Sequence, residues 1–178
     1  AGLNENYARE LLELHTLGVD GGYGQADVVN LAKILTGWGF APKQGSGFAF
    51  DARRHAGGDK QLLGTRIAAA GRAEGEAALD LLARHPATAR HLARKLAARF
   101  VADDPPPALV ERLAGTYLAT DGRIDQVLAA LFVSPEFAAA RQAKLKTPYR
   151  LVVSTARTLG DDLADPAPAV RALKRLGQ

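Results

Sequence analysis

The sequence of 178 residues contains no cysteine and no methionine. The absence of cysteine excludes disulfide bonds, thiolate metal sites and a cysteine nucleophile, but it does not distinguish the cytoplasm from the periplasm. No run approaches the roughly 18 consecutive apolar residues of a membrane-spanning helix. A signal peptide is also absent. Because the chain starts at Ala1 without methionine, we expect a piece of a longer protein, so this last absence does not bear on export.

The sequence does have a strong helical period, and 47% of its residues are hydrophobic, enough to bury a core. Phe48 and Phe50 alternate among scattered glycines, a pattern typical of a short hairpin. We therefore expect a mainly α protein, a compact multi-helix bundle with an irregular or short β-hairpin excursion near residues 39–67. The apolar spacing predicts helices over residues 4–17, 28–35, 74–85, 86–101, 108–119, 124–133, 135–144, 149–159 and 169–176.

This pattern predicts a single helical domain over residues 1–178, the carboxy-terminal fragment of a larger protein. Within it we distinguish three segments. A polar first helix and a second helix occupy residues 1–37, the irregular excursion covers residues 38–73, and the helical bundle covers residues 74–178.

The first predicted helix interleaves polar side chains with leucines. Glu5, Arg9 and Glu13 are spaced for ion pairs, because residues four apart share a helix face. Charges at this spacing are typical of a solvated surface, but here they alternate with two leucine faces. We therefore adopt the hypothesis of a buried polar network, whose members are Asn4, Glu5, Asn6, Arg9, Glu10, Glu13, His15 and Thr16.

Catalytic candidates are few, and no motif specifies a reaction. Glu10 and Glu13 lie one turn apart and could divide acid and base roles, with His15 or His55 assisting. The pair lacks the Glu-x-x-His spacing of di-metal bundles, and no histidine pair has a zinc spacing. We predict no metal and no cofactor.

Two further motifs have structural interpretations. His85, before Pro86, is expected to end a helix and interact with its dipole. "TDGRID", residues 120–125, resembles part of a calcium loop but lacks the oxygen ligands at its ends, which favours a turn and a helix start.

A basic amphipathic helix is predicted at residues 84–99, where no acidic residue interrupts five cations. Such a face could bind anions by neutralising phosphates. No helix-turn-helix spacing or aromatic-basic interleaving accompanies it, so we do not expect nucleic-acid binding. The anion-binding candidates are Arg90, Arg94, Lys95 and Arg99.

Several blocks spread over the chain carry a resemblance. They are "LNENYARELLELHTLGVDGGY", "DVVNLAKILTGW", "FDARRH", "LLG", "HPATARHLARKLAARF" and "SPEF". Together they resemble the bacterial domain-of-unknown-function 1800 family. The resemblance implies the carboxy-terminal part of a protein more than twice as long, often exported and often encoded beside another uncharacterised exported protein. It implies no activity and no catalytic residues.

The matching motif residues are Asn4, Glu5, Asn6, Arg9, Glu10, Glu13, His15, Thr16, Trp38, His55, Lys60, His85, Pro86 and Thr88. One departure affects a histidine. The family commonly has His-Asp where this chain has His55-Ala56, with Asp59 three residues later.

We interpret the chain as a structural or interaction module of an exported complex, periplasmic or extracellular. Its expected partners are the missing amino-terminal part, which would cover Leu3, Tyr7 and Trp38, and another exported protein encoded nearby. Two alternatives stay open. One is a metal-assisted or carboxylate-based hydrolase that uses Glu10, Glu13 and a histidine, and the other is an anion or nucleic-acid binder through residues 84–99.

Overall fold

The structure, a computed structural model, describes residues 3–41, 47–141, 144–160 and 164–177. The chain is mainly helical with two small antiparallel sheets, which confirms the expected fold class. It divides into two compact units, residues 1–138 and 139–178. Within the described ranges, no helix is both long enough and apolar enough to cross a membrane.

The first unit contains both sheets. Its helices are α1 (Glu5–Glu10), α2 (Gln25–Ile34), α3 (Arg72–Ala83), α4 (Pro86–Phe100), α5 (Pro107–Ala119), α6 (Ile124–Phe132) and all but the last residue of α7 (Pro135–Ala139). Its strands are β1 (Trp38–Phe40), β2 (Phe48–Phe50), β3 (Lys60–Leu62) and β4 (Thr65–Ile67). The described strands all lie between residues 38 and 67, where the sequence predicted them.

Helix α1 continues into a π-helical segment, Leu11–Thr16. The combined length agrees with the predicted helix, but its wider last turn was not predicted. Side chains satisfy the carbonyls at its end. The Thr16 hydroxyl donates to the Leu11 carbonyl at 2.7 Å, and Lys95 Nζ of α4 donates to the Leu14 carbonyl at 2.8 Å. The π-helical end is therefore fixed to α4.

Strands β3 and β4 contribute side chains to the buried core that α1 and α2 cover. Strand β3 pairs antiparallel with β4, with Lys60 opposite Ile67 and Leu62 opposite Thr65. Residues two apart in a strand share a face, so Lys60 and Leu62 both point into the protein. The buried cluster comprises Ala8, Leu12, Leu17, Val28, Leu31, Ala32, Ile34, Leu62, Ile67, Ala78 and Leu82.

The prediction for His85 was wrong. His85 is the N-cap of α4, where its Nδ1 accepts a hydrogen bond from the Ala87 N–H at 3.1 Å. The physical reason is Pro86, because a proline disfavours helical backbone at the preceding residue. "TDGRID" does form a turn, with positive φ at Asp121 and Gly122 before α6 begins.

The later helices match the predicted ones to within two residues at each end, except at the end of α7. Helix α7 ends at Ala139 rather than Lys144, and residues 142–143 of the predicted helix lie outside the described residues. The second unit contains α8 (Pro148–Leu159) and α9 (Ala167–Arg175). Among its described residues only Ala156 is buried.

Trp38 packs directly on Gly75 of α3. A methyl group added at Gly75 would lie 2.2 Å from Trp38 Cζ2. We expect Gly75→Ala to lower the free energy of unfolding by about 1–3 kcal/mol through overpacking. Gly115→Ala is the control, because nothing lies within 4 Å of an added methyl there, and it should stabilise α5 by about 0.5–1 kcal/mol. Urea unfolding compares the two, and a harmless Gly75→Ala would contradict this packing.

Candidate functional site

Glu74 is a buried carboxylate in the first turn of α3, with 1% of its surface exposed. Its Oε1 accepts hydrogen bonds from the N–H groups of Ala70 and Gly71 at 2.9 and 3.0 Å. Gly71 is the N-cap of α3, so Glu74 satisfies backbone donors at the helix start as a capping-box residue does. The negative charge also lies at the favourable end of the helix dipole.

Two further side chains converge on the same carboxylate. Lys60 Nζ donates to Glu74 Oε2 at 2.6 Å, and His55 Nε2 lies 3.0 Å from Oε1. Only 3% of the Lys60 side chain and 7% of the His55 side chain are exposed. Lys60 Nζ also donates to the Ala56 carbonyl. Strand β3 and the loop before it are thereby tied to α3.

Thr36, just after α2, completes the arrangement. Its carbonyl lies 2.8 Å from His55 Nδ1, and its hydroxyl accepts a hydrogen bond from the Ala56 N–H at 2.7 Å. Both ring nitrogens of His55 therefore lie within hydrogen-bond distance of an oxygen, and Nε2 also lies 3.4 Å from Lys60 Nζ. We call Thr36, His55, Lys60 and Glu74 the Glu74 cluster.

The electrostatics of the cluster favour an ionised carboxylate. Burial by itself would raise the pKa of Glu74. The hydrogen bonds from Lys60, His55 and the two backbone N–H groups outweigh that effect and lower the pKa from 4.5 to about 2. Glu74 is therefore ionised at neutral pH and already has four donors, which suits it to hold structure rather than to accept a proton from a substrate.

The four catalytic candidates are not brought together. Glu10 and His15 are exposed and Glu13 is half-buried, whereas His55 belongs to the Glu74 cluster. Among these described side chains, no hydrogen bond or ion pair joins His15 or His55 to Glu10 or Glu13. No group of three or more acidic or histidine side chains in the described ranges could hold a metal ion.

The polar residues of the first helix are less buried than the sequence suggested. Glu5 and Arg9 are half-buried and are bridged by Gln25 of α2, which contacts each at 2.8 Å. Asn4 caps the helix by accepting from the Tyr7 N–H at 3.1 Å. Asn6, Glu10 and His15 are exposed. The structure thus connects Glu5 and Arg9 through a residue that the sequence did not single out.

Cations on the basic helix have partners from neighbouring segments. Arg90 pairs with Glu111 of α5 at 3.0 Å, and Arg94 pairs with Asp104 at 3.3 Å. Lys95 binds the Leu14 carbonyl, as described above, while Arg99 is exposed. The positive charges of this helix are therefore largely compensated by acidic side chains from neighbouring segments, although no acidic residue lies within the helix itself.

Sequence reasoning missed Glu74 and Thr36. The available signal was Gly71-x-x-Glu74, which has a capping-box spacing, but the contacts to Lys60 and His55 span an irregular segment that no period describes. Asp59 does not replace the expected aspartate beside His55. It accepts from Arg66 Nε at 2.8 Å and from the Ala69 N–H at 2.9 Å instead.

A family model described as a protein of unknown function, DUF1800, matches residues 1–178, the whole chain. The match confirms the resemblance seen in the sequence blocks. No curated protein and no solved structure matches the chain.

Removing the charge of Glu74 tests the cluster. We expect Glu74→Gln to lower the free energy of unfolding by roughly 3–5 kcal/mol, because Lys60 is left as an uncompensated buried cation. Glu76→Gln removes an equal charge from a carboxylate that is 52% exposed and paired with Arg72, and should cost less than about 1 kcal/mol. If urea unfolding showed that Glu74→Gln lowers the free energy of unfolding no more than Glu76→Gln does, the cluster would add no stability.

The cluster also predicts a pH dependence. The folded pKa of Glu74 lies below its ordinary 4.5, so its contribution of about 3 kcal/mol is fully present above pH 4.5 and is lost as the pH falls through about 2. The stability difference between the native chain and Glu74→Gln should therefore shrink between pH 5 and pH 2. A difference that stays constant over this range, measured by urea unfolding, would contradict the lowered pKa.

Proposed function

The chain belongs to this family of proteins of unknown function, DUF1800, and we propose that it acts as a noncatalytic interaction module of a larger exported assembly. The export and the assembly follow the family resemblance. The observation that carries the noncatalytic part is that both carboxylate oxygens of Glu74 already accept hydrogen bonds. Glu74 is the most deeply buried ionised group in the described part of the chain.

A catalytic carboxylate must come within hydrogen-bond reach of the proton that it transfers. Both oxygens of Glu74 already accept hydrogen bonds, and only 1% of the residue is exposed. Lys60 is similarly occupied by Glu74 and the Ala56 carbonyl. These contacts support a structural role, in which the Glu74 cluster fixes the strand-containing segment.

The first helix offers the surface for interaction. Tyr7 is 57% exposed and Leu14 is 47% exposed, and Leu3, just before the N-cap, is 40% exposed. Trp38, which we expected to join this surface, is half-buried because it packs on Gly75 and meets Phe48 edge to face. We call Leu3, Tyr7 and Leu14 the α1 surface.

We propose that the amino-terminal part of the longer protein implied by the family resemblance covers the α1 surface. The exposed carboxylate of Glu10 lies on the same helix, so a partner that combines apolar and basic side chains would complement it. Tyrosine and leucine side chains would supply the apolar contact area.

The two alternatives from the sequence have weaker support. For a hydrolase, the candidate carboxylates Glu10 and Glu13 would need a histidine within reach, and the described residues show none bound to them. For an anion binder, the required cations would have to leave acidic partners such as Glu111.

The α1 surface can be tested with a double variant. We expect Tyr7→Ser with Leu14→Ser to weaken binding to the separately expressed amino-terminal part on the order of tenfold or more, because two apolar contacts are lost. Leu118→Ser on α5 is the control, since Leu118 is 44% exposed and should leave the affinity unchanged. Isothermal titration calorimetry gives both values. Absence of binding by the unaltered chain would contradict the proposal.

A further inference from the structure

Positive charge is concentrated in the second unit, residues 139–178. This segment contains eight lysine or arginine residues and three aspartates, whereas residues 1–138 contain 15 lysine or arginine residues and 16 acidic ones. The net charge of +4 therefore comes from the second unit. Neither α8 nor α9 contains an acidic residue. Their cations are Arg150, Arg157, Arg171, Lys174 and Arg175.

Both helices separate apolar residues from charged ones, because residues three and four apart share a helix face. The apolar face of α8 comprises Tyr149, Val152, Val153, Ala156 and Leu159. The apolar face of α9, which extends to its C-cap, comprises Ala169, Ala172, Leu173 and Leu176. Arg150 and Arg157 flank the first of these faces, and Arg175 flanks the second. Each helix is therefore basic and amphipathic.

The two apolar faces are only partly covered. Helices α8 and α9 contact each other, and Ala156 in the middle of the α8 face is buried. At the ends of that face, Tyr149 is 61% exposed and Leu159 is 77% exposed. Val170 and Leu176 of α9 are also exposed. Apolar side chains grouped in this way on two helices that touch indicate a binding surface.

The cations of α8 and α9 lack acidic partners. None of the five forms an ion pair with another residue in the described part of the chain. Asp165, just before α9, instead accepts a hydrogen bond from the Ala167 N–H at 2.9 Å. The cations of α4 differ, because Arg90 and Arg94 have acidic partners. The positive charge of α8 and α9 is therefore available to an anionic partner.

A membrane that contains anionic lipids complements both features. A basic amphipathic helix lies in the plane of such a membrane, with its apolar side chains below the headgroups and its cations attracted to the lipid charges. Tyrosine is favoured at this depth because its ring is apolar and its hydroxyl is polar. Nucleic acid would satisfy the cations but leave the apolar faces in water. A second copy of the same surface would bring like charges together.

We propose that α8 and α9 bind the surface of an anionic lipid membrane, with their apolar faces towards the acyl chains and their cations attracted to the lipid phosphates. We call these two helices the α8–α9 surface. It shares no residue with the α1 surface, and the proposal does not depend on the interaction function.

Co-sedimentation of the full chain with lipid vesicles measures this binding. One set of vesicles contains phosphatidylglycerol and phosphatidylcholine in equal amounts, and the other contains phosphatidylcholine alone. We expect the chain to bind the anionic vesicles on the order of tenfold or more tightly than the neutral ones, and added salt should weaken this binding. Equal binding to both sets, or binding to neither, would overturn the proposal.

A triple variant tests the cations that flank the apolar faces. Arg150→Gln, Arg157→Gln and Arg175→Gln together should weaken binding to the anionic vesicles on the order of tenfold or more, because each cation near the membrane adds to the attraction. All three side chains are exposed, so the fold should persist, which circular dichroism checks.

The matched control removes the same charge from the first unit. It combines Arg84→Gln, Arg112→Gln and Arg123→Gln, whose side chains pair with acidic residues. We expect it to change the affinity for anionic vesicles less than about twofold. A loss as large as that of the first triple variant would overturn the proposal, because binding would then follow net charge alone.

Apolar variants separate a membrane from other anionic partners. Tyr149→Ser with Leu159→Ser should weaken binding to the anionic vesicles on the order of tenfold. Leu118→Ser with Val133→Ser changes two exposed apolar residues of the first unit and should leave the affinity unchanged. A double-stranded DNA oligonucleotide is the competing probe. Tighter binding to DNA than to vesicles, or vesicle binding that the Tyr149 and Leu159 changes do not weaken, would overturn the proposal.

Discussion

The buried negative charge of Glu74 holds the strand-containing segment between α2 and α3. Each strand has only three residues, and isolated two-stranded hairpins are at best marginally stable in water. The segment therefore needs contacts from outside its own hydrogen bonds. Glu74 supplies them by joining the start of α3 to Lys60 of β3 and to His55, which in turn contacts Thr36 after α2.

This arrangement has an energetic cost as well as a benefit. Burying ions removes them from water, and a buried ion pair is often no more stabilising than apolar side chains of similar volume. What the Glu74 cluster contributes is a specific geometry, because Lys60 and His55 can be satisfied in the interior only when the carboxylate and Thr36 are correctly placed. Trp38 follows Thr36 by two residues and packs on Gly75, which directly follows Glu74, so this contact lies beside the Glu74 cluster. The cluster thus joins the end of α2, the strand-containing segment and α3 at one ionised group.

The helices could be predicted from the sequence because their apolar residues recur with the helical period, as in α5, where the predicted residues 108–119 nearly coincide with Pro107–Ala119. His85 was misassigned because α3 and α4 are nearly continuous there. Periodicity does not show whether a residue between two helices ends the first or caps the second. The Glu74 cluster could not be predicted, since its pairs are 14 to 19 residues apart across irregular chain. For the first helix, the sequence predicted more burial of polar side chains than the structure shows. Its polar spacing indicated a buried network, but burial depends on neighbouring segments, and in the described part of the chain Glu5 and Arg9 are half-buried and bridged by Gln25 of α2.

A double-mutant cycle between Lys60 and Glu74 tests most directly whether these residues act as one structural unit. Urea unfolding would be compared for the native chain, Lys60→Met, Glu74→Gln and the double variant. If the buried pair is coupled, the double variant should lose less stability than the two single losses together, with an interaction free energy of at least about 1 kcal/mol. Losses that add within about 0.5 kcal/mol would contradict the account, because they would mean that the two side chains contribute independently.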